Sequence, residues 1–227
     1  MAQSDEMTNV YLETGKKRTF AGAIDWPGWC RSGRDEQAAL QALYEYGPRY
    51  GRVLRMAGLG YQAPTSVAAL RVIERLEGNG TTDFGAPDAV PSADTKPVDD
   101  TDLRRFRTLL NACWQKFDAT VKAAAGKELR KGPRGGGREL DEIVQHVSGA
   151  EVAYLGRLGG KLNPGDPNDI RQVRQAILSA FDSAVRGEVP VRGPRGGVRW
   201  RPRTFVRRVT WHVLDHAWEI EDRVQDE

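Results

Sequence analysis

Beyond residue 100 the apolar residues recur at i, i+3, i+4 and i+7 in four successive stretches, and that period limits the fold more than any other feature. The stretches cover 102–125, 138–159, 169–187 and 204–224. In the first, Phe106, Leu109, Leu110, Cys113, Trp114, Phe117 and Val121 form one stripe, with Thr101 or Asp102 available as a cap. A helix with one apolar stripe must have that stripe covered, and four such helices cover one another as a four-helix bundle. The N-terminal third reads differently. Residues 8–14 and 18–24 are short β-type runs joined by Gly15-Lys16-Lys17, the pattern of a hairpin. A turn-rich stretch over 25–33 reads as a loop. Residues 34–58 have helical spacing, with a break or kink expected at Gly47-Pro48 because proline has no N–H to donate. Residues 67–77 read as a strand, on Val72, Ile73 and the following Gly78. The expectation is an α+β chain: a small N-terminal β-β-α-β domain over 1–78, a linker over 79–100 dense in Gly, Pro, Thr and Asp, and a four-helix bundle over 101–227.

Charge is nearly balanced across the 227 residues, 34 basic against 31 acidic for a net +3, so no whole-surface attraction to DNA or an anionic membrane is expected. No run approaches the ~20 apolar residues of a membrane span. The N-terminus is polar and acidic where a signal peptide is basic and then apolar, so a cytoplasmic protein is expected. Cys30 and Cys113 form no CxxC pair and read as two separate, reduced thiols.

The chain has three histidines, and two of them, His212 and His216, stand four apart in the last helical stretch. Residues at that spacing share a helix face, about 6 Å apart at Cβ, so two imidazoles can converge on one ion. His146, midway along the second stretch, can supply a third ligand. Three neutral nitrogen ligands leave a coordination position open, as in catalytic zinc sites, and such an ion brings the pKa of its water toward neutrality. Imidazole suits zinc and nickel alike. The same three residues also fit ordinary half-buried positions in a helical core. Glu142, one turn before His146, and Asp215 and Glu219, beside His216, are candidates to orient an imidazole or to act as a general base; Glu142 and Asp215 are the candidate catalytic carboxylates. They equally fit an acidic helix surface paired with Arg207, Arg208 and Arg223. Trp211 and Trp218 fit either a pocket lining or the core. The sequence GPRGG occurs at 132–136 and 193–197, each time ahead of a histidine-bearing helix. These loops suit a flexible, anion-attracting rim, with Arg134 and Arg195 as candidate substrate-binding residues; they are also ordinary loop material.

The segments ELDEIVQHVSGAEVAYLGRLG (139–159) and VTWHVLDHAWEIEDR (209–223) resemble the second and fourth helices of the DinB-like (DinB/YfiT-like) superfamily. The resemblance spans roughly residues 100–225 and implies a bundle of up-down-down-up arrangement. It implies a divalent metal, zinc or nickel, held by His146, His212 and His216. It further implies activation of a low-molecular-weight thiol or of water. Members of that family include bacillithiol-dependent transferases, mycothiol-dependent isomerases and hydrolase-like proteins. A metal-dependent thiol S-transferase or hydrolase acting on a small-molecule substrate is therefore the leading functional expectation. A fainter likeness joins RTFAGAIDWPGWCRSGRDEQAALQAL (18–43) to the HicB-type antitoxin domain, with Trp26-Pro27-Gly28-Trp29-Cys30 at that family's P-D-x-P-G-C loop. It suggests an accessory unit that dimerises or contacts ligand. It also supports the alternative of a non-catalytic metal-binding or regulatory protein that binds protein or RNA through the N-terminal domain.

Overall fold

A computed structural model describes residues 7–131, 137–162 and 169–225. The chain divides into two compact units, 1–96 and 97–227.

The first unit is built on a four-stranded mixed sheet. Its strands are β1 (Thr8–Thr14), β2 (Thr19–Ala23), β3 (Cys30–Gly33) and β4 (Leu70–Glu77), ordered β3-β2-β1-β4. β1 and β2 form the expected hairpin, with Val10 opposite Ala23 and Thr14 opposite Thr19. β4 lies parallel to β1 at one edge, which requires a crossover, and α1 (Glu36–Arg55) lies within that connection. Asp35 caps α1 by accepting the Ala38 N–H at 2.8 Å.

Three expectations need correction in this unit. The turn-rich 25–33 stretch contains a strand, so the unit is β-β-β-α-β. The Trp29 N–H donates to Trp26 O at 3.1 Å, and the tight turn folds Cys30–Gly33 back onto β2. Only Cys30 of this edge strand is buried, so it leaves no alternating pattern in the sequence. Second, α1 runs unbroken through Pro48. A proline inside a helix costs about 3 kcal/mol in the usual case. Here the preceding Gly47 has no Cβ to crowd the ring, and its bareness admits Trp29 and Tyr61, which an added Cβ would approach to 3.2–3.3 Å. Third, the 79–100 stretch is not a linker. It carries a short helix, α2 (Gly80–Phe84), and a turn of 3-10 helix at Ser92–Thr95. The buried Glu13 of β1 accepts the Thr82 hydroxyl at 2.5 Å and the Asp88 N–H at 2.8 Å, and Glu74 of β4 accepts the Ser92 N–H. These bonds tie the segment to the sheet, and the division between units falls at 96/97.

The second unit holds α3 (Asp100–Ala124), α4 (Leu140–Leu158), α5 (Ile170–Val185) and α6 (Pro202–Arg223). Asp99, rather than Thr101 or Asp102, caps α3 by accepting the Asp102 N–H at 2.8 Å. α3 packs mainly along α6, and α4 along α5 and α6; the other pairs of these four meet only slightly. The expectation of a β-β-α-β unit followed by a DinB-like four-helix bundle of up-down-down-up arrangement is therefore corrected. Among the described residues the chain is a mixed α+β structure with a four-stranded sheet and six α-helices, and its C-terminal helices pack unevenly around α6. The helical period located the helices; it does not encode which stripes meet, because that choice depends on the shape of the residues in each stripe. Among the described residues no helix is long and apolar enough to cross a membrane.

One carboxylate lies deep among these helices. Glu151 of α4 is fully buried, accepts the Trp114 Nε1–H at 2.5 Å and stands 3.6 Å from Arg174 Nε. Burial pushes its carboxyl up to about 7, against the opposing pull of Arg174 and the Trp114 hydrogen bond. A folded-state pKa above the unfolded one means that the native chain holds a proton the unfolded chain has released. The stability contributed by the protonated form is thus lost as pH rises from about 4.5 to about 7. Glu151→Gln keeps an acceptor for Trp114 and removes the titration. Urea unfolding at pH 5 and at pH 7.5 is expected to show the variant less destabilised by the pH increase than the wild type. Identical pH dependence in the two chains would exclude a perturbed Glu151.

Candidate metal centre

His212 and His216 lie on α6, one turn apart, and both are buried; His146 on α4 is half-buried. Helix α4 reaches α6 because Ile143, Val147, Leu155 and Leu158 need cover, and turning that stripe inward carries His146 with it. The three rings meet with centroids 4.6–5.0 Å apart. His146 Nε2 and His212 Nε2 are 3.1 Å apart, and one ligand atom from each of the three lies within 4.8 Å of the others. Nitrogens bound tetrahedrally at ~2.0–2.1 Å stand roughly 3.3 Å apart, so the His146–His212 pair already has the spacing of two ligands on one ion, with the third nitrogen within 4.8 Å. Among the described residues no other group of three or more His, Cys, Asp or Glu side chains is placed to hold one.

Two of the rings are kept in the ligating form. Burial, then the neighbouring imidazoles and the cations Arg208 and Arg138, hold His212 down to about 2. His146 is also lowered, by burial first and then by His216 and Arg138. A neutral imidazole presents a lone pair, and no proton has to be displaced before it can bind a metal. His212 Nδ1 is buried with no hydrogen-bond partner, so the polar contact of that ring lies at Nε2. His216 Nδ1 is 2.8 Å from Glu219 Oε2, which fixes Nδ1 as the protonated nitrogen and leaves Nε2 for the centre. That hydrogen bond, ahead of the opposing effect of burial, keeps Glu219 below the usual carboxylate range. Arg223 donates to Glu219 at 2.7 Å and to the main-chain oxygens of Arg130 and Arg138. Gly137 stands so close to it that a Cβ would come within 2.7 Å of the guanidinium, in a backbone conformation with φ +135° that favours glycine.

Of the residues singled out in the sequence, the three histidines are brought together. Glu142 is exposed at the start of α4, where it accepts the Glu139 N–H at 2.8 Å and so caps the helix. Asp215 is half-buried, but adjacent positions on a helix do not face the same way, and Glu219 is the carboxylate that meets His216. Arg195 sits exposed in the 193–197 turn; Arg134 lies outside the described residues. Trp211 borders His212, with ring centroids 6.1 Å apart, while Trp218 is buried in the core. Two neighbours escaped the sequence reading. Tyr154, two turns beyond His146 on α4, has its ring 5.7 Å from His212, and Trp200 lies 5.1 Å from Tyr154. The i, i+8 spacing of His146 and Tyr154 is a signal for the first; Trp200 precedes α6 and carries none.

No protein-family model, no curated protein and no solved structure matches this chain.

Replacing the residue that orients a ligating histidine lowers metal affinity about 10–100-fold. Glu219→Ala is expected to weaken zinc binding by that factor, read by competition with a chromophoric chelator, while the helix content is unchanged. Zinc affinity equal to wild type would remove Glu219 from the site.

Proposed function

We propose that this chain is a metal-dependent enzyme in which His146, His212 and His216 hold a divalent ion, zinc or nickel, at a site that activates a thiol or water. The observation that carries the proposal is the convergence of three imidazoles from two helices, one of them oriented by a carboxylate. The donor set fits the group: three nitrogens, no thiolate, and no fourth protein ligand among the described residues, so one position remains for substrate. A divalent ion there supplies the Lewis acidity that makes water or a thiol nucleophilic near neutral pH.

The remaining work belongs to this chain. Glu219 holds the His216 tautomer, and Arg223 holds Glu219. Tyr154 and Trp200, both half-buried, form an aromatic wall beside His212 on which substrate can be oriented. Neither cysteine serves as nucleophile: both are buried, and burial pushes the Cys113 thiol well above its ordinary value. A thiol must therefore come from solution, in agreement with the resemblance to DinB-like thiol transferases. In such a transfer the external thiol gives up its proton, its sulfur forms the C–S bond at an electrophilic carbon, and the leaving group departs with its bonding electrons. With water as nucleophile the same site performs hydrolysis.

The test is elemental analysis of the untagged protein, followed by rate measurements. Cysteine or glutathione with monochlorobimane reads thiol transfer, and p-nitrophenyl esters read hydrolysis. About one zinc or nickel per chain is expected, with a rate in at least one assay that falls over 100-fold on chelation or in His146→Ala. A chain that takes up neither metal, or a rate indifferent to chelation, contradicts the proposal.

A further inference from the structure

Between residues 189 and 214 the chain carries seven arginines and no acidic residue. Some of these are engaged internally: Arg203 pairs with Asp102, and Arg207 is buried in α6. Arg195 and Arg199 are not neutralised in this way. Together with Arg157 from the last turn of α4, they line an open groove of about 540 Å³, whose other lining comes from Gly156, Val198 and the 193–197 turn. None of the three has a carboxylate partner among the described residues; Arg199 donates to the Pro190 main-chain oxygen, and Arg157 lies near the ring of Trp200. The carbonyl end of α4 accounts for one nearby cation. It does not account for three cations around one solvent-filled space. Like charges so arranged repel, and an anion between them relieves the repulsion.

A run of side-chain contacts leads from Arg157 at the groove to the histidines. The Arg157 guanidinium is 6.0 Å from the centre of the Trp200 ring, and the Trp200 N–H donates to Arg157 O at 2.9 Å. Trp200 is 5.1 Å from Tyr154, and Tyr154 is 5.7 Å from His212. Arg208 adds a further cation 5.8 Å from the Trp200 ring. Arg157 at the groove, the Trp200 and Tyr154 rings, and the His212 imidazole thus follow one another in space.

We infer that the groove receives an oxyanion, a phosphate or carboxylate group, at one end of an elongated small molecule. Its flat or apolar middle lies on Trp200 and Tyr154, and its reacting end reaches His212. The placement of the reacting end rests on the proposed metal-dependent function; the oxyanion groove stands without it. A small molecule suits the observations better than a nucleic acid, because three arginines around one depression match a single anionic group and two other arginines of the basic run are engaged elsewhere.

The test is calorimetric titration of EDTA-treated protein with pyrophosphate and with citrate, in wild type and in Arg157→Gln/Arg195→Gln, with far-UV circular dichroism to show that the variant keeps its helices. At least one probe is expected to bind wild type, more weakly as salt is raised and at least tenfold more weakly in the variant. Absence of binding by both probes, or equal affinity in a folded variant, overturns the inference. A single-stranded oligonucleotide that binds over 100-fold more tightly than pyrophosphate, and loses this in the variant, also overturns it by making the groove a nucleic-acid site. The titrations contain no metal, so their failure leaves the histidine centre standing, and failure to load metal leaves the groove untouched.

Discussion

Fourteen of the 22 residues of α6 are withdrawn from solvent, and among them are two imidazoles, a guanidinium and two threonines. Apolar side chains gain from this burial, but each buried polar group must find a partner inside the protein or remain a cost of about 1–3 kcal/mol. The arrangement of the second unit follows from that demand. The Thr210 hydroxyl bonds back to Val206 O, His216 meets Glu219, and His212 Nε2 faces His146 Nε2. Helix α4 thus supplies α6 with apolar cover and with a polar counterpart at the same place. A helix that only closed a core would be simpler with leucine at 212 and 216. Two imidazoles there, with the His212 ring held down by burial and the charges around it, are a feature that metal binding explains.

The sequence was most legible where the period was long. Four helical stretches and the β1–β2 hairpin appear where the apolar spacing puts them, because patterning over many residues averages out local exceptions. It was least legible where one contact overrules local propensity. Gly47 shields Pro48 inside α1, a single turn at Trp26–Trp29 makes a strand of Cys30–Gly33, and Glu13 draws a Gly- and Pro-rich stretch onto the sheet. In the first two cases the deciding feature is one residue or one turn, too short to carry a pattern, and in the third the partner is distant in the chain. The pairing of the C-terminal helices was hidden for the same reason: amphipathic stripes announce that helices pack, not against which neighbour.

The candidate site was legible in its nitrogens and not in its surroundings. The four-residue spacing of His212 and His216 marks a shared face, and the scarcity of histidine pointed to His146. The carboxylates were harder. Glu142, Asp215 and Glu219 are all near a histidine in sequence, and only geometry separates a helix cap from the partner of His216. Trp200 joins the site through Tyr154, a link that no spacing rule reports.

The central claim is that three imidazoles share one ion with a position left for substrate. X-ray absorption at the zinc edge of the zinc-loaded protein tests it directly. The expected spectrum has three imidazole nitrogens at ~2.0–2.1 Å and one further light atom, with a sulfur near 2.3 Å replacing that atom when a small thiol is added. A spectrum with fewer than three imidazoles, or with no exchangeable position, would contradict the account.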